Sequence, residues 1–267
     1  MAEPTARIRT VELSDQKLVR FMIGKATMEP LAVANRRVYS NPFVLALWIG
    51  LSCIFVEYMN WWPKPEHGLF GYLAPVPAFG SLAIPLMFLS DWLNRFPFED
   101  RSANILRRPD LADIVAYYSR SPASGFWLLE YGTRFVGLIA IDASTDSLSE
   151  ETVAAKGRVN TSQGTNTDAT IRHFYVEEAY RKTFIQNDLL AHAIAHAFSN
   201  DAAVQRIRAA ESPLQRYIGD ALREQGFQLE KKTERIGALR WQNSIRVLDR
   251  KRWKLSVNDT TSVGLKS

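Results

Sequence analysis

The chain has one cysteine, Cys53, in 267 residues. A single thiol excludes an intrachain disulfide framework and a cysteine-rich zinc site, and it fits a reducing compartment for the soluble part. Histidine is scarce too, with four residues. Long blocks of like charge are missing: basic and acidic residues alternate, and the net charge is only +5. That scatter argues against nucleic acid as a partner and leaves anionic membrane lipid as the better one. Residues 1–11 are polar and lack the apolar core of a signal peptide.

Two apolar stretches dominate what is present. Residues 43–56 carry no charge, and residues 57–62 extend them with Glu57, Tyr58, Trp61 and Trp62. Residues 68–90 form a second uncharged run. A helix needs roughly 20 residues to cross the hydrocarbon of a bilayer. The second run qualifies directly, and the first qualifies if Glu57 lies at the interface, where the Trp and Tyr cluster would put it. The connecting turn, residues 63–67, is too short to hold a domain. Arg36, Arg37, Arg95, Arg101, Arg107 and Arg108 flank the outer ends, while the turn offers Lys64 and His67 against Glu66. By the positive-inside rule both termini face the cytosol. The alternative is one long buried hairpin in a soluble protein. The expected organisation is a first strand and helix in residues 1–40, a transmembrane helical hairpin in 41–95, the remainder of a cytosolic domain in 96–255, and a disordered polar tail in 256–267.

Outside the hairpin, patterning predicts strands at 6–11, 126–131, 135–141, 171–176, 204–209, 228–238 and 242–255. It predicts helices at 13–39, kinked at Pro30, and at 109–119, 185–198 and 214–225, the last ended by Gly226. Residues 142–168, rich in Ser, Thr, Gly and Asn, read as a mobile loop. The class is α/β, an α+β mixed sheet.

Residues 171–198 are the centre of this pattern. Their first part is apolar on both faces, as a buried central strand is. Their last part places Leu190, Ala193, Ile194, Ala197 and Phe198 on one helical stripe. A strand joined to a helix by a short polar link is where many α/β folds hold a phosphate, because the helix N-terminus presents free N–H groups.

Val176, Tyr180, Arg181, Ile185 and Leu189-Leu190 resemble the cofactor motif of the GCN5-related N-acetyltransferases, the GNAT family. The element order outside the apolar runs resembles that family too, and so does the Gly226-Phe227 pair closing the last helix. The resemblance implies a GNAT-like acyl-CoA N-acyltransferase fold with the hairpin inserted near the N-terminus. It implies acetyl-CoA as cofactor, contacted by Val176, Arg181, Lys182, Phe184, Gln186 and Asn187. The family loop reads Arg-Gly-x-Gly-x-Gly. Here Lys182, Phe184 and Gln186 stand at the glycine positions, so the loop is degenerate and tight cofactor binding is not expected. The general base implied is His173 or Glu177, with Glu178 beside it. His173 also reads as a satisfied core histidine, and the two glutamates as solvated loop charges. The position of the usual leaving-group acid is Leu222. Tyr217 lies about 140° round the helix from it.

His192 and His196, with Asp188 one turn earlier, have zinc-gripping spacing. They lie on the polar face without a following Glu, so they read as exposed helix residues and no metal is expected. Arg250-Lys251-Arg252 reads as a solvated strand end or a contact for lipid headgroups. Two functions follow. One is a non-catalytic membrane-anchored protein that binds a membrane-protein client. Its pairing of two N-terminal spans with a cytosolic domain is broadly similar to fungal endoplasmic-reticulum proteins that package phosphate transporters. The other is an active acetyl-CoA-dependent N-acetyltransferase at the cytosolic membrane face. The loop substitutions and Leu222 favour the first.

Overall fold

The structure, a computed structural model, describes residues 5–149 and 163–255, without the side chains of Pro65 and His67. Contacts divide the chain into two compact units. One comprises Met1–Thr27, Arg101–Arg235 and Trp241–Ser267; the other comprises Met28–Asp100 and Ile236–Arg240.

The first unit is built on a mixed sheet of seven strands in the order β1-β2-β3-β4-β5-β7-β6. The strands are β1 Ala6–Thr10, β2 Gly125–Tyr131, β3 Arg134–Ser144, β4 Thr165–Val176, β5 Arg206–Glu211, β6 Gln228–Ile236 and β7 Trp241–Asp249. β1 to β4 pair antiparallel with their neighbours, β4 and β5 pair in parallel, and β5 and β7 pair antiparallel. The β2–β3 hairpin closes at Gly132, whose φ of 62° suits glycine.

Alternation along β2 sorts its side chains between two cores. Trp127 and Leu129 enter a cluster with Leu189, Leu190, Ala193, Ala197 and Leu222. These come from α5, Ile185–Asn200, and α6, Arg216–Glu224. Phe126 and Leu128 enter a second cluster with Val19, Ile23, Tyr117 and Tyr118. These come from α1, Gln16–Tyr39, and α4, Ile114–Tyr118.

Three expectations need correction. Residues 142–168 are not one loop: β3 runs to Ser144 and β4 begins at Thr165, with Asp142 and Ser144 fully buried. Their polarity is answered by buried arginines described below, so composition misled. Of that stretch, residues 150–162 lie outside the described residues, as do the tail residues 256–267. The last strand stops at Asp249, and residues 250–255 are helical, so Arg250-Lys251-Arg252 is no strand end. The helix expected at 109–119 is a 3-10 turn, Pro109–Leu111, followed by α4 behind the N-cap Asp113, whose carboxylate accepts from the Ala116 N–H.

The second unit contains α2, Pro42–Tyr58, and most of α3, Val76–Leu106. Pro75 and Pro77 mark the start of α3 rather than interrupting it, since an N-terminal proline has no helical N–H to forfeit; Pro85 and Pro97 lie inside. By length and composition one helix, Gly68–Leu106, suffices to cross a membrane. α2 alone is 17 residues, and it passes the same test only jointly with Leu13–Tyr39 across a 57° bend. Within this unit Asn35 donates to Asp91, and Asn94 donates to Asn35.

Candidate functional site

β4 carries both regions of interest, and one irregularity explains both. Ile141 faces Ile171 and Ala140 faces His173, so Arg172 is an extra residue on β4. Such a bulge re-aims side chains. Ile171 and Phe174 pack on the α5–α6 core, while Arg172 and His173 turn to a polar cluster beside Tyr117 and Tyr118. Parallel pairing with β5 also ends here. It covers Asp168↔Arg206 to Ile171↔Ala209, although β4 continues to Val176 and β5 to Glu211. Two parallel strands that part toward their C-terminal ends, each followed by a helix, make a crevice of the kind where α/β sheets bind ligands.

The cluster at the bulge is dense and sealed. His173 Nε2 lies 2.7 Å from Asp110 Oδ2, and the Tyr118 hydroxyl donates to the same carboxylate at 3.0 Å. Arg172 donates to Asp142 at 2.7 Å, and its other nitrogens reach the carbonyls of Asp146 and Ser149. The Arg120 guanidinium stacks 3.6 Å from the Tyr117 ring and pairs with Asp146 at 2.9 Å. Burial pushes the Asp110 carboxyl up, but His173 and Arg172 outweigh it and hold its pKa at about 2. Burial also pushes the Tyr117 hydroxyl well above its usual range. His173 is therefore a buried histidine partnered by Asp110. Asp110, Asp142, Arg120 and Arg172 were not singled out by the sequence, because the charged partners they hydrogen-bond lie 26 to 63 residues away.

The loop at the end of β4 is open. A 3-10 turn, Glu178–Thr183, leads to Phe184, which adopts the left-handed region at φ 59°, ψ 16°, and α5 starts at Ile185. Phe184 is 62% exposed. Gln186 is 4% exposed and does not project outward; its Nε2 donates back to the Arg181 carbonyl at 3.2 Å. Phe184 and Gln186 both line the cleft beside the loop. Asn187 Nδ2 donates to Glu224 on α6. A cleft of about 250 Å³ lies beside the loop, walled by Arg181, Lys182, Phe184, Tyr217, Asp220 and Glu224.

Arg181 spans the mouth of the crevice. Its Nε donates to the Val176 carbonyl at 2.8 Å, and its guanidinium lies 3.9 Å from the Tyr217 ring centroid. The end of β4 and the start of α6 are thus joined by one side chain. Glu177, the other expected base, is held by Lys25 at 2.7 Å, and the pair keeps the Lys25 ammonium above its usual range. Gln215, just before α6, donates to the Ala26 carbonyl of α1. Leu222 is fully buried in the core. Tyr217, set aside by helix geometry, does line the cleft.

Acetyl-CoA is a poor fit to these residues. A pyrophosphate needs several N–H groups close by and net positive surroundings. Here Phe184 has a bulky side chain at the turn, and Asp220 and Glu224 offset Arg181 and Lys182 in the cleft wall. The backbone carbonyl at the end of β4 is already engaged. The rings of His192 and His196 pack against Trp127 at 5.3 and 4.8 Å, and no group of three or more residues placed to hold a metal occurs among the described residues.

The sequence matches no protein-family model and no curated protein. Solved structures with some likeness in shape include acetyltransferases. One from Salmonella typhimurium, solved with acetyl-CoA, is 10% identical with a TM-score of 0.44, covering 92% of this chain and 94% of that one. A phosphinothricin N-acetyltransferase is 12% identical with a TM-score of 0.43, covering 92% and 98%. A GNAT-family acetyltransferase from Staphylococcus aureus is 11% identical with a TM-score of 0.42, covering 92% and 99%.

Proposed function

We propose that this chain is a membrane-anchored protein of GNAT-like, N-acetyltransferase-like fold that acts by binding a membrane-protein client rather than by acyl transfer. The GNAT-like part of the reading draws on the strand order and on the parting of two parallel strands ahead of a loop and helix. The non-catalytic part draws above all on Arg181, whose side chain bridges Val176 and Tyr217 where a cofactor arm would enter. It is supported by the other groups. His173 is sealed against Asp110, Glu177 is paired with Lys25, and Leu222 has no proton to give. The anchoring part draws on the apolar helix Gly68–Leu106 and the exposed apolar faces of α2 and α3, with both termini on the cytosolic side, at the endoplasmic reticulum. The client reading draws on the partners already held by His173, Glu177 and Arg181 among the described residues.

Titration calorimetry of the full chain in detergent with acetyl-CoA tests this. The wild type is expected to show no micromolar binding. Combined Lys182→Gly, Phe184→Gly and Gln186→Gly is expected to raise affinity, because glycine lets backbone approach the pyrophosphate. Micromolar binding by the wild type with turnover of any amine would establish the acetyltransferase reading instead, with Tyr217 as a hydroxyl-bearing residue lining the cleft.

A further inference from the structure

We infer that the crevice where β4 and β5 part is held shut by two straps running from the end of β4 to α6, and that α1 is the strap that moves to open it. The inference rests on the GNAT-like and client parts of the reading above. Pairing of the two strands stops at Ile171↔Ala209, while β4 runs on to Val176 and β5 to Glu211. The first strap is the Arg181 side chain, from the Val176 carbonyl to the Tyr217 ring. The second is α1, two consecutive residues of which hold the two walls. Lys25 Nζ donates to the Glu177 carboxylate at 2.7 and 2.9 Å, just past β4. The Ala26 carbonyl accepts from Gln215 Nε2 at 3.3 Å, just before α6. The straps meet on one ring. The Lys25 ammonium lies 5.9 Å, and the Arg181 guanidinium 5.7 Å, from the ring centroid of the buried Tyr175.

Pro30 explains why Ala26 can serve. A helical carbonyl accepts from the N–H four residues on, and Pro30, inside α1, has no N–H to give. The Ala26 carbonyl thus lacks its donor within the helix, and Gln215 supplies one from outside. A helix also bends most readily at such a proline. The hinge of α1 therefore lies about one turn from its hold on the crevice. The chain divides at the same place: Thr27 ends the share of α1 in the first unit, and Met28 begins the share in the unit that also contains α2 and most of α3. The ties of α1 are of kinds that break easily. The Lys25–Glu177 pair has a half-exposed ammonium, and exposed ion pairs hold weakly. The Gln215 bond is at the long end of its range. A client that engages the apolar helices bends α1 at Pro30 and draws Lys25 and Ala26 off Glu177 and Gln215, which loosens the crevice at the end of β4.

The test is amide hydrogen exchange of the full chain in mild detergent, read by mass spectrometry over residues 172–177. The wild type should exchange slowly there. Lys25→Met with Gln215→Met frees α1 and should speed that segment roughly fivefold; adding Arg181→Met should bring the total to roughly tenfold or more. Exchange over residues 189–198, in the core of α5, should keep its wild-type rate. Unchanged exchange of 172–177 in the triple variant overturns the inference, as does a wild-type segment that exchanges as fast as an unfolded peptide. Equal acceleration over 189–198 overturns it as well, since the ties would then hold the whole fold and not the crevice. Should the triple variant fail to fold, the Lys25→Met, Gln215→Met pair is judged by the same criteria. Acetyl-CoA turnover separates this inference from the reading it rests on. A triple variant that exchanges faster and also acetylates an amine keeps the straps and overturns the non-catalytic reading, whereas unchanged exchange overturns the straps alone.

Discussion

β4 serves two regions that could hardly differ more. At its bulge, Arg172 and His173 enter a sealed cluster in which acids and bases answer one another. At its end, the Arg181–Asn187 loop borders an open cleft whose walls are cations, acids and one exposed Phe. Proton-transfer chemistry needs a titratable group with access to substrate. Here His173 and Asp110 are enclosed with each other, while Arg181 is tied to the Val176 carbonyl and Glu177 to Lys25. Titratable residues alone do not make an active site; where the fold leaves them decides.

The sharpest break of this contrast is Arg172→Met. It would take the 2.7 Å partner from the buried Asp142 carboxylate, leaving Tyr117, Ser144 and Arg120 at 3.8 Å, and should cost about 3 kcal/mol, read from denaturant unfolding. A loss below about 1 kcal/mol would mean the cluster is not sealed. Acid titration is the next measure. The Asp110 pKa is held at about 2 in the fold, below its unfolded value of 3.8. Its contribution is therefore present above pH 4 and lost as pH falls from about 4 to 2, by about 2 kcal/mol. Asp110→Asn should flatten that part of a stability-versus-pH curve, and an unchanged curve would remove Asp110 from the cluster's balance. On the loop side effects should be smaller. Arg181→Ala removes a cation–π contact and one hydrogen bond and should cost about 1 kcal/mol in thermal unfolding. A loss of 3 kcal/mol or more would make the loop as structural as the bulge. Smallest of all, Phe184→Gly relieves a left-handed φ with little burial lost, and should shift stability by under about 1 kcal/mol, upward.

How far the sequence carried depends on the range of the interactions. The span from strand to helix around residues 171–198 was legible because period-2 and period-3.6 patterns are local; β4 ends at Val176 and α5 begins at Ile185. The bulge was not legible, since it is defined by pairing with β3. Nor was the burial of Asp142 and Asp168, whose polarity reads as loop until Arg172 and Arg206 are known to meet them. The structure places the loop residues beside a cleft, but the bond from Gln186 back to Arg181 and the reach of Arg181 to Tyr217 depend on rotamers that no spacing rule states.

The pairing of β1 with β2 has a further consequence, for the time course of synthesis. Arg9 reaches Glu130 across 121 residues of chain. At about 5–20 residues per second, the ribosome takes roughly 6–24 s to make that stretch. For that interval β1 is a strand without a neighbour, while both apolar helices emerge ahead of its partner. Those helices are thus complete before the sheet is able to close. A nascent chain stalled before β2 would present a bare strand edge to whatever is near, and such a chain is a natural substrate for chaperones.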